Sequence, residues 1–176
     1  MHDVLEEQEH HGAEPWTLPV AITISILAVL VAMATLMGHR SSIEVVLLQT
    51  QASDQWAYYQ AKNSRLHEMQ GVVDLLGVLP AMEKEKTNAL REKYTKEIER
   101  YDKEKEEISD KAKELESERA VVGRREDRFD ASEVILEIGL IVCSLTLLTK
   151  RKFFWRSGIV VGVVGFIVGL SGFFVH

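Results

Sequence analysis

Cysteine is nearly absent from this 176-residue sequence. Cys143 is the only one, so no disulfide can form within the chain and the redox compartment stays unread. Proline occurs three times, and the stretch from His39 to Ser132 holds a single proline–glycine break, Gly77-Val78-Leu79-Pro80. Long helices can therefore run on either side of it. Lysine and arginine are missing from the first 16 residues, which carry Asp3, Glu6, Glu7, Glu9 and Glu14. With a net charge of −6 and mixed signs elsewhere, the chain lacks the basic footprint that nucleic acid binding requires. The acidic start also lacks the basic region of a cleavable signal peptide, and no convincing Ala-x-Ala site follows the first apolar run. Nucleophile–base arrangements, phosphate loops and paired metal-ligand spacings are missing too, and His39, His67 and His176 stand alone. His10 and His11 beside Glu9 have no further ligand of fixed geometry, so a solvated tail is the preferred account of residues 1–16. The expectation is a protein without enzymatic activity, cofactor, metal or small-molecule substrate.

What the chain does have is segregated apolar content. Hydrophobic residues make up 46 % and the mean hydropathy is −0.04, an average of greasy and very polar blocks. Three apolar runs, 17–38, 133–149 and 153–175, stand out. A bilayer core asks for roughly 20 such residues at 1.5 Å rise each. The expected fold is all-α: three transmembrane helices, with a long antiparallel helical hairpin between the first and second. A basic loop, 150–156, separates the second and third, and a disordered acidic tail, 1–16, precedes the first.

The hairpin follows from a thin heptad stripe on each arm. On the first arm Val45, Ala52, Tyr59, Leu66 and Val73 are seven apart, with Leu48, Met69 and Leu76 on a companion row that Gln55 and Lys62 interrupt. The second arm, 81–122, repeats the spacing with Tyr94, Tyr101, Ile108, Leu115 and Val122, beside Ile98 and Ala112, and with Arg91, Lys105 and Arg119 as gaps. Arms of roughly 54 and 63 Å, at 1.5 Å per residue, return the chain to where it left the bilayer. The turn is expected at 77–80, giving a coiled-coil-like stalk over 39–132. Glu92 with Lys96, Glu99 with Lys103 and Glu107 with Lys111 have the spacing of solvated helix pairs. Gly123 is placed to kink or end the second arm, and Asp130-Ala131-Ser132-Glu133 reads as a capping-box start for the second span.

Within the spans, small residues mark expected packing faces. Ala21, Ser25, Ala28 and Ala32 share a face of the first span, and Gly158, Gly162, Gly165, Gly169 and Gly172 stripe the third. The glycine stripe is expected to meet the small face of the first span, or alternatively another subunit. Glu137 is the one acid placed inside the hydrocarbon region; reaching the interface or pairing with Arg124, Arg125 or Arg128 is favoured over a proton or ion relay. On the stalk, Trp56, Tyr58 and Tyr59 form a candidate interaction site, and packing against Tyr94 and Tyr101 is the simpler account of them.

Sidedness rests on opposed counts. Lys150, Arg151, Lys152 and Arg156 place the short loop in the cytoplasm and the stalk outside, periplasmic in a Gram-negative cell. Arg40 and the 124–128 arginines pull the other way. The short-loop count is given precedence.

The run Gln49-Thr50-Gln51-Ala52-Ser53-Asp54-Gln55-Trp56-Ala57-Tyr58-Tyr59-Gln60-Ala61-Lys62 resembles the hallmark of a bacterial membrane protein family, domain of unknown function 4337. So do Asp127-Arg128-Phe129-Asp130, Glu133 to Glu137, Cys143-Ser144-Leu145, and Trp155 with the glycines that follow. The likeness covers nearly the whole chain from Pro19 onward and leaves the acidic tail outside. It implies a bacterial origin and a three-pass layout, and it carries over no activity and no site residues; the expected location is the bacterial inner (cytoplasmic) membrane. The functional expectation is a structural, scaffold or accessory subunit, working as a homo-oligomer or within a larger membrane complex through the stalk and the glycine-faced helix. A small channel or transport-linked subunit using Glu137, or a membrane sensor, is the alternative.

Overall fold

The computed structural model describes residues 16–78 and 84–175. The acidic tail, apart from Trp16, lies outside the described residues, as do Leu79 and Pro80 of the expected turn. Among the described residues there are three helices and no strand: α1 (Thr17–Val78), α2 (Lys84–Thr149) and α3 (Lys152–Gly172). The two long helices pack against each other, and all three are long and apolar enough to cross a membrane. The chain divides into two compact units, one made of the residues up to Ile43 with those from Val121 onward, the other of Glu44–Ala120.

α1 starts with Pro19 in its first turn, where a missing N–H costs nothing. The carbonyl of Pro19 accepts a hydrogen bond from Thr23 Oγ1 (2.8 Å), and Ser25 donates in the same way to Ala21. The hydroxyls of Thr23 and Ser25 are thus satisfied within their own helix. The helix buries two rows of seven-residue spacing. In the first unit these are Val20, Leu27, Ala34 and Ser41, with Ile24, Val31 and Gly38 between them. In the second unit Ala52 and Leu66 are buried, and Val45, Leu48, Tyr59, Met69, Val73 and Leu76 half-buried, in the same register.

α2 does not break at Gly123, and no helix starts at Asp130; it runs unbroken to Thr149. One glycine in a helix interior costs about 1 kcal/mol, too little to interrupt so long an element. Its buried row, Tyr101, Ile108, Ala112 and Leu115 in the second unit, recurs as Val122, Phe129, Leu136 and Cys143 in the first. Of the expected intrahelical pairs, Glu92–Lys96 forms at 2.7 Å, while Lys111 turns forward to Glu114 at 2.6 Å. No Glu99–Lys103 ion pair is present among the described residues. The two long helices are antiparallel. In the first unit Thr35 donates to Glu133 (2.7 Å) and Ser42 to Glu126 (2.5 Å), so seven residues forward on one helix is seven back on the other.

The connection from α2 to α3 is two residues, shorter than the expected 150–156 loop. Lys150 adopts a left-handed φ of 55°, with its N–H on Thr146 O (2.8 Å), and Arg151 is extended. A cation at a helix C-terminus meets the free carbonyls favourably. Lys152 then opens α3.

The glycines of α3 pack chiefly on α2, not on the small face of α1. A Cβ at Gly158 would collide with Cys143 Sγ and lie 2.8 Å from the carbonyl oxygen of Gly139. One at Gly165 would lie 3.0 Å from the Leu136 nitrogen, and one at Gly169 2.6 Å from Ser132 Oγ. Gly172 faces Phe129, and only Gly162 faces α1, where Leu27 comes within 2.5 Å of a Cβ position. Ser132 is buried and donates to Gly165 O (2.8 Å), so the residue expected to cap α2 joins two helices instead. Trp155 ties all three, donating from Nε1 to Thr23 Oγ1 (3.2 Å) and accepting at its carbonyl from Cys143 Sγ (3.9 Å).

Because Cys143 is fully buried under Gly158, it reports on this packing. Gly158→Leu is expected to raise the rate of Cys143 labelling by a membrane-permeant maleimide on the order of ten-fold, since backbone contacts there leave nothing to give way. Leucine at Gly123, where a Cβ meets nothing within 4 Å, should leave labelling unchanged.

Candidate functional site

The aromatic stretch of the second unit is built on the outer edge of the buried row. Trp56 donates from Nε1 to Glu116 (2.8 Å) and stands edge-on to Tyr59, with ring centroids 5.6 Å apart. Tyr94 and Tyr101 do not meet Trp56 or Tyr59. Antiparallel pairing sets Trp56 beside Glu116 and Lys62 beside Glu104, which leaves both second-arm tyrosines nearer the turn. Tyr101 is buried and Tyr94 half-buried, whereas Tyr58 is exposed.

The row expected to be interrupted by Lys62 uses that lysine. Its side chain is only 13 % exposed, and Nζ donates to Glu104 Oε2 at 2.5 Å. The ammonium also lies 4.5 Å from the centre of the Tyr101 ring and 5.3 Å from that of Tyr58, the geometry of a cation–π contact. Arg100 stacks on the far part of the same cluster, 5.1 Å from Tyr101 and bonded to Glu97 (2.7 Å). The hydrogen bond from Lys62 holds the Glu104 carboxyl below the ordinary 4.5, and the same bond raises Lys62 above 10.5 against the lowering effect of burial. An ion pair at a core position of a helix pair selects one register over its neighbours, because a slip of one turn strands both charges.

In the first unit the small residues Ala21, Ser25, Ala28 and Ala32 lie exposed. Leu27 supplies the bulk and Gly162 the hole, so α1 contributes its larger side chains to the contact. Glu137 is exposed as well. It makes no hydrogen bond or ion pair with any described residue, the arginines of 124–128 included. On the other side of the unit a cleft of about 140 Å³ opens between the helices. Leu30, Met37, Leu136 and Phe173 line it, and the hydroxyl of Ser132 at its wall is already spent on Gly165. No group of three metal-ligating side chains is present among the described residues.

The fold defines an all-helical chain with three helices long and apolar enough to cross a membrane. A family model described as domain of unknown function (DUF4337) matches residues 16–175, and the chain belongs to that family. No curated protein and no solved structure matches it.

The ion pair predicts a definite pH dependence. A carboxyl with a lowered folded value stabilises above 4.5 and loses that contribution as pH falls through the folded value. The raised lysine holds its contribution below 10.5 and loses it at higher pH. Lys62→Met should therefore lower the thermal midpoint of helix loss in the full chain at pH 7, measured by circular dichroism. The gap to wild type should stay level between those limits and narrow below pH 4.5. A gap that persists into strong acid would assign the loss to packing of the lysine stem.

Proposed function

We propose that this chain is a non-enzymatic subunit of the bacterial cytoplasmic membrane, anchored by three spans, whose coiled-coil-like stalk docks a partner or a further copy. The stalk is taken to be periplasmic on the short-loop charge count. One observation carries the reading. The paired arms bury a narrow row, yet Val46 (64 % exposed), Leu47, Tyr58, Val72 and Leu75 remain uncovered on α1 among polar neighbours. Apolar and aromatic side chains left exposed along a helix pair are the raw material of an interface. The polar core pair Lys62–Glu104 supports a scaffold role, since it holds the arms in one register and so presents those side chains in a fixed order.

A transport-linked subunit using Glu137 is the second reading, favoured by the exposure of that acid in an apolar stretch. The two separate by experiment. The scaffold reading expects the native protein, extracted in mild detergent, to run larger than its 19.9 kDa chain, with companions identifiable by mass spectrometry or with more of itself. Tyr58→Ala together with Leu75→Ala should reduce that assembly about ten-fold, by the loss of two interface anchors. A clean monomer would overturn the scaffold reading. Ion flux in reconstituted vesicles that disappears in Glu137→Gln, with assembly unchanged, would establish the transport reading in its place.

A further inference from the structure

Trp155 and Gly162 hold α3 against Thr23 and Leu27 of α1, while Gly165, Gly169 and Gly172 turn to α2. Past Gly162 the crevice between α1 and α3 opens into the cleft of about 140 Å³. Phe129 and Ser132 of α2 form its floor, Leu30 and Met37 one wall, Leu170 and Phe173 the other. The Ser132 hydroxyl is bonded to Gly165 O (2.8 Å), so the lining offers a guest apolar contact and no free hydroxyl, amide or charge. An apolar space of this size stays dry and takes up hydrocarbon. From Leu30 to Met37 it runs roughly 10 Å along the helix axes, at 1.5 Å per residue. A helix, about 10 Å across, is too thick to enter it. A single hydrocarbon chain is not.

The mouth lies where the apolar runs end, beside the edge-on rings of Phe129 and Phe173, 5.3 Å apart. Cations continue two of the lining rows outward from it. Arg125 stands seven residues before Ser132, and Arg40 seven after Met33, another lining residue. The register set by Thr35 with Glu133 and Ser42 with Glu126 puts Arg40 level with Arg128. On α2, at 100° per residue, Arg124, Arg125 and Arg128 fall within about 80° of the Ser132 row. Glu126, Asp127, Asp130 and Glu133 fall about 100° or more from it, and two of them are already bonded to Ser42 and Thr35. The charges of 124–133 are thus sorted by face, with the basic face on the cleft side. Arg125 is half-buried, and its Nε is buried without a hydrogen-bond partner among the described residues. A guanidinium N–H left so is costly, and a phosphate oxygen is the acceptor whose geometry and charge suit it best.

We infer that the cleft seats an acyl chain of an anionic phospholipid, whose phosphate is held at the mouth by Arg125 and Arg128. The inference rests on the proposed membrane reading and names the lipid that this anchor takes. A zwitterionic lipid brings the same chains with a cationic headgroup that the arginines repel, so headgroup charge decides between the two.

The test reconstitutes the full chain in phosphatidylcholine vesicles containing a trace of photoactivatable lipid. Two probes carry the same diazirine-bearing chain, one on phosphatidylglycerol and one on phosphatidylcholine, and mass spectrometry maps the labelled residues. The phosphatidylglycerol probe should label Met37, Leu170 and Phe173 about ten-fold more than the phosphatidylcholine probe. Val29 and Ile167, exposed outside the cleft, should not discriminate. Arg125→Gln with Arg128→Gln should bring the preference to parity, whereas Arg151→Gln with Lys152→Gln, at the far end of α3, should leave it. Leu170→Trp, which fills the cleft from its exposed lip, should lower labelling of Met37 by both probes. Cys143 staying unreactive to maleimide in each variant confirms intact packing. Equal labelling of the wild-type cleft by both probes would overturn the inference, as would a preference that survives the two arginine replacements. Displacement of the lipid by soluble glycerol phosphate would also overturn it, assigning the arginines to a free phosphate. If Val29 and Ile167 are labelled and the cleft shows no preference, the lipid site is wrong and the membrane reading stands; if neither probe labels any residue of 17–38 or 153–175, that reading fails as well.

Discussion

The seven-residue register of α1 against α2 is the constraint on which everything else hangs. Within α1 two rows, Val20-Leu27-Ala34-Ser41 continued by Leu48-Gln55-Lys62-Met69-Leu76, and Ile24-Val31-Gly38-Val45-Ala52-Tyr59-Leu66-Val73, never skip a step. A spacing of 3.5 residues keeps one face of a helix turned toward its partner, where a 3.6 repeat would drift away. Because the register holds, Gly38 can come close to Asp130, Lys62 can find Glu104, and the α3-facing side of α2 stays aimed at α3. Losing step at one heptad would misplace the later pairs of the same unit together.

The two units use this register with different chemistry. In Glu44–Ala120 the row is thin and the surroundings are charged, so a lysine can sit within it by bonding Glu104 and lying over two tyrosine rings. Within the apolar runs of the other unit few polar side chains are at hand, and contact there is made chiefly by shape. Glycine supplies the room, Leu27, Leu136 and Phe129 supply the bulk, and hydroxyls bond to carbonyls. Removing a hydrogen-bonded charge hurts the first kind of contact most, and adding a methyl group hurts the second.

Much of the fold was legible in the residues. Three apolar runs, two arms and their heptad rows could all be read because charge and hydrophobicity alternate visibly along 45–122. The same rows continue through 20–41 and 129–143, yet there almost every residue is apolar and periodicity has no contrast to show it. Small residues then looked like the packing face of α1, when in fact the bulky row packs and the small row is open. Asp130-Ala131-Ser132-Glu133 has the composition of a helix start, but composition does not reveal that Ser132 has a carbonyl to meet on α3. Of the candidate interaction residues, Tyr58 could be named as an aromatic on a polar helix, and it lies exposed. The partnership of Lys62, Glu104 and Tyr101 was hidden because it depends on the offset between arms, which the spacing on each arm leaves undetermined.

The two-residue connection at Lys150 and Arg151 acts as a phase lock. A helix turns about 100° per residue, so the angle at which α3 presents its glycines is set by how many residues separate it from Thr149. One inserted residue would swing the stripe by more than a quarter turn and set valines and phenylalanines against Gly139 and Cys143. Length, rather than the chemistry of the connector's side chains, is thus the property of that corner least free to vary.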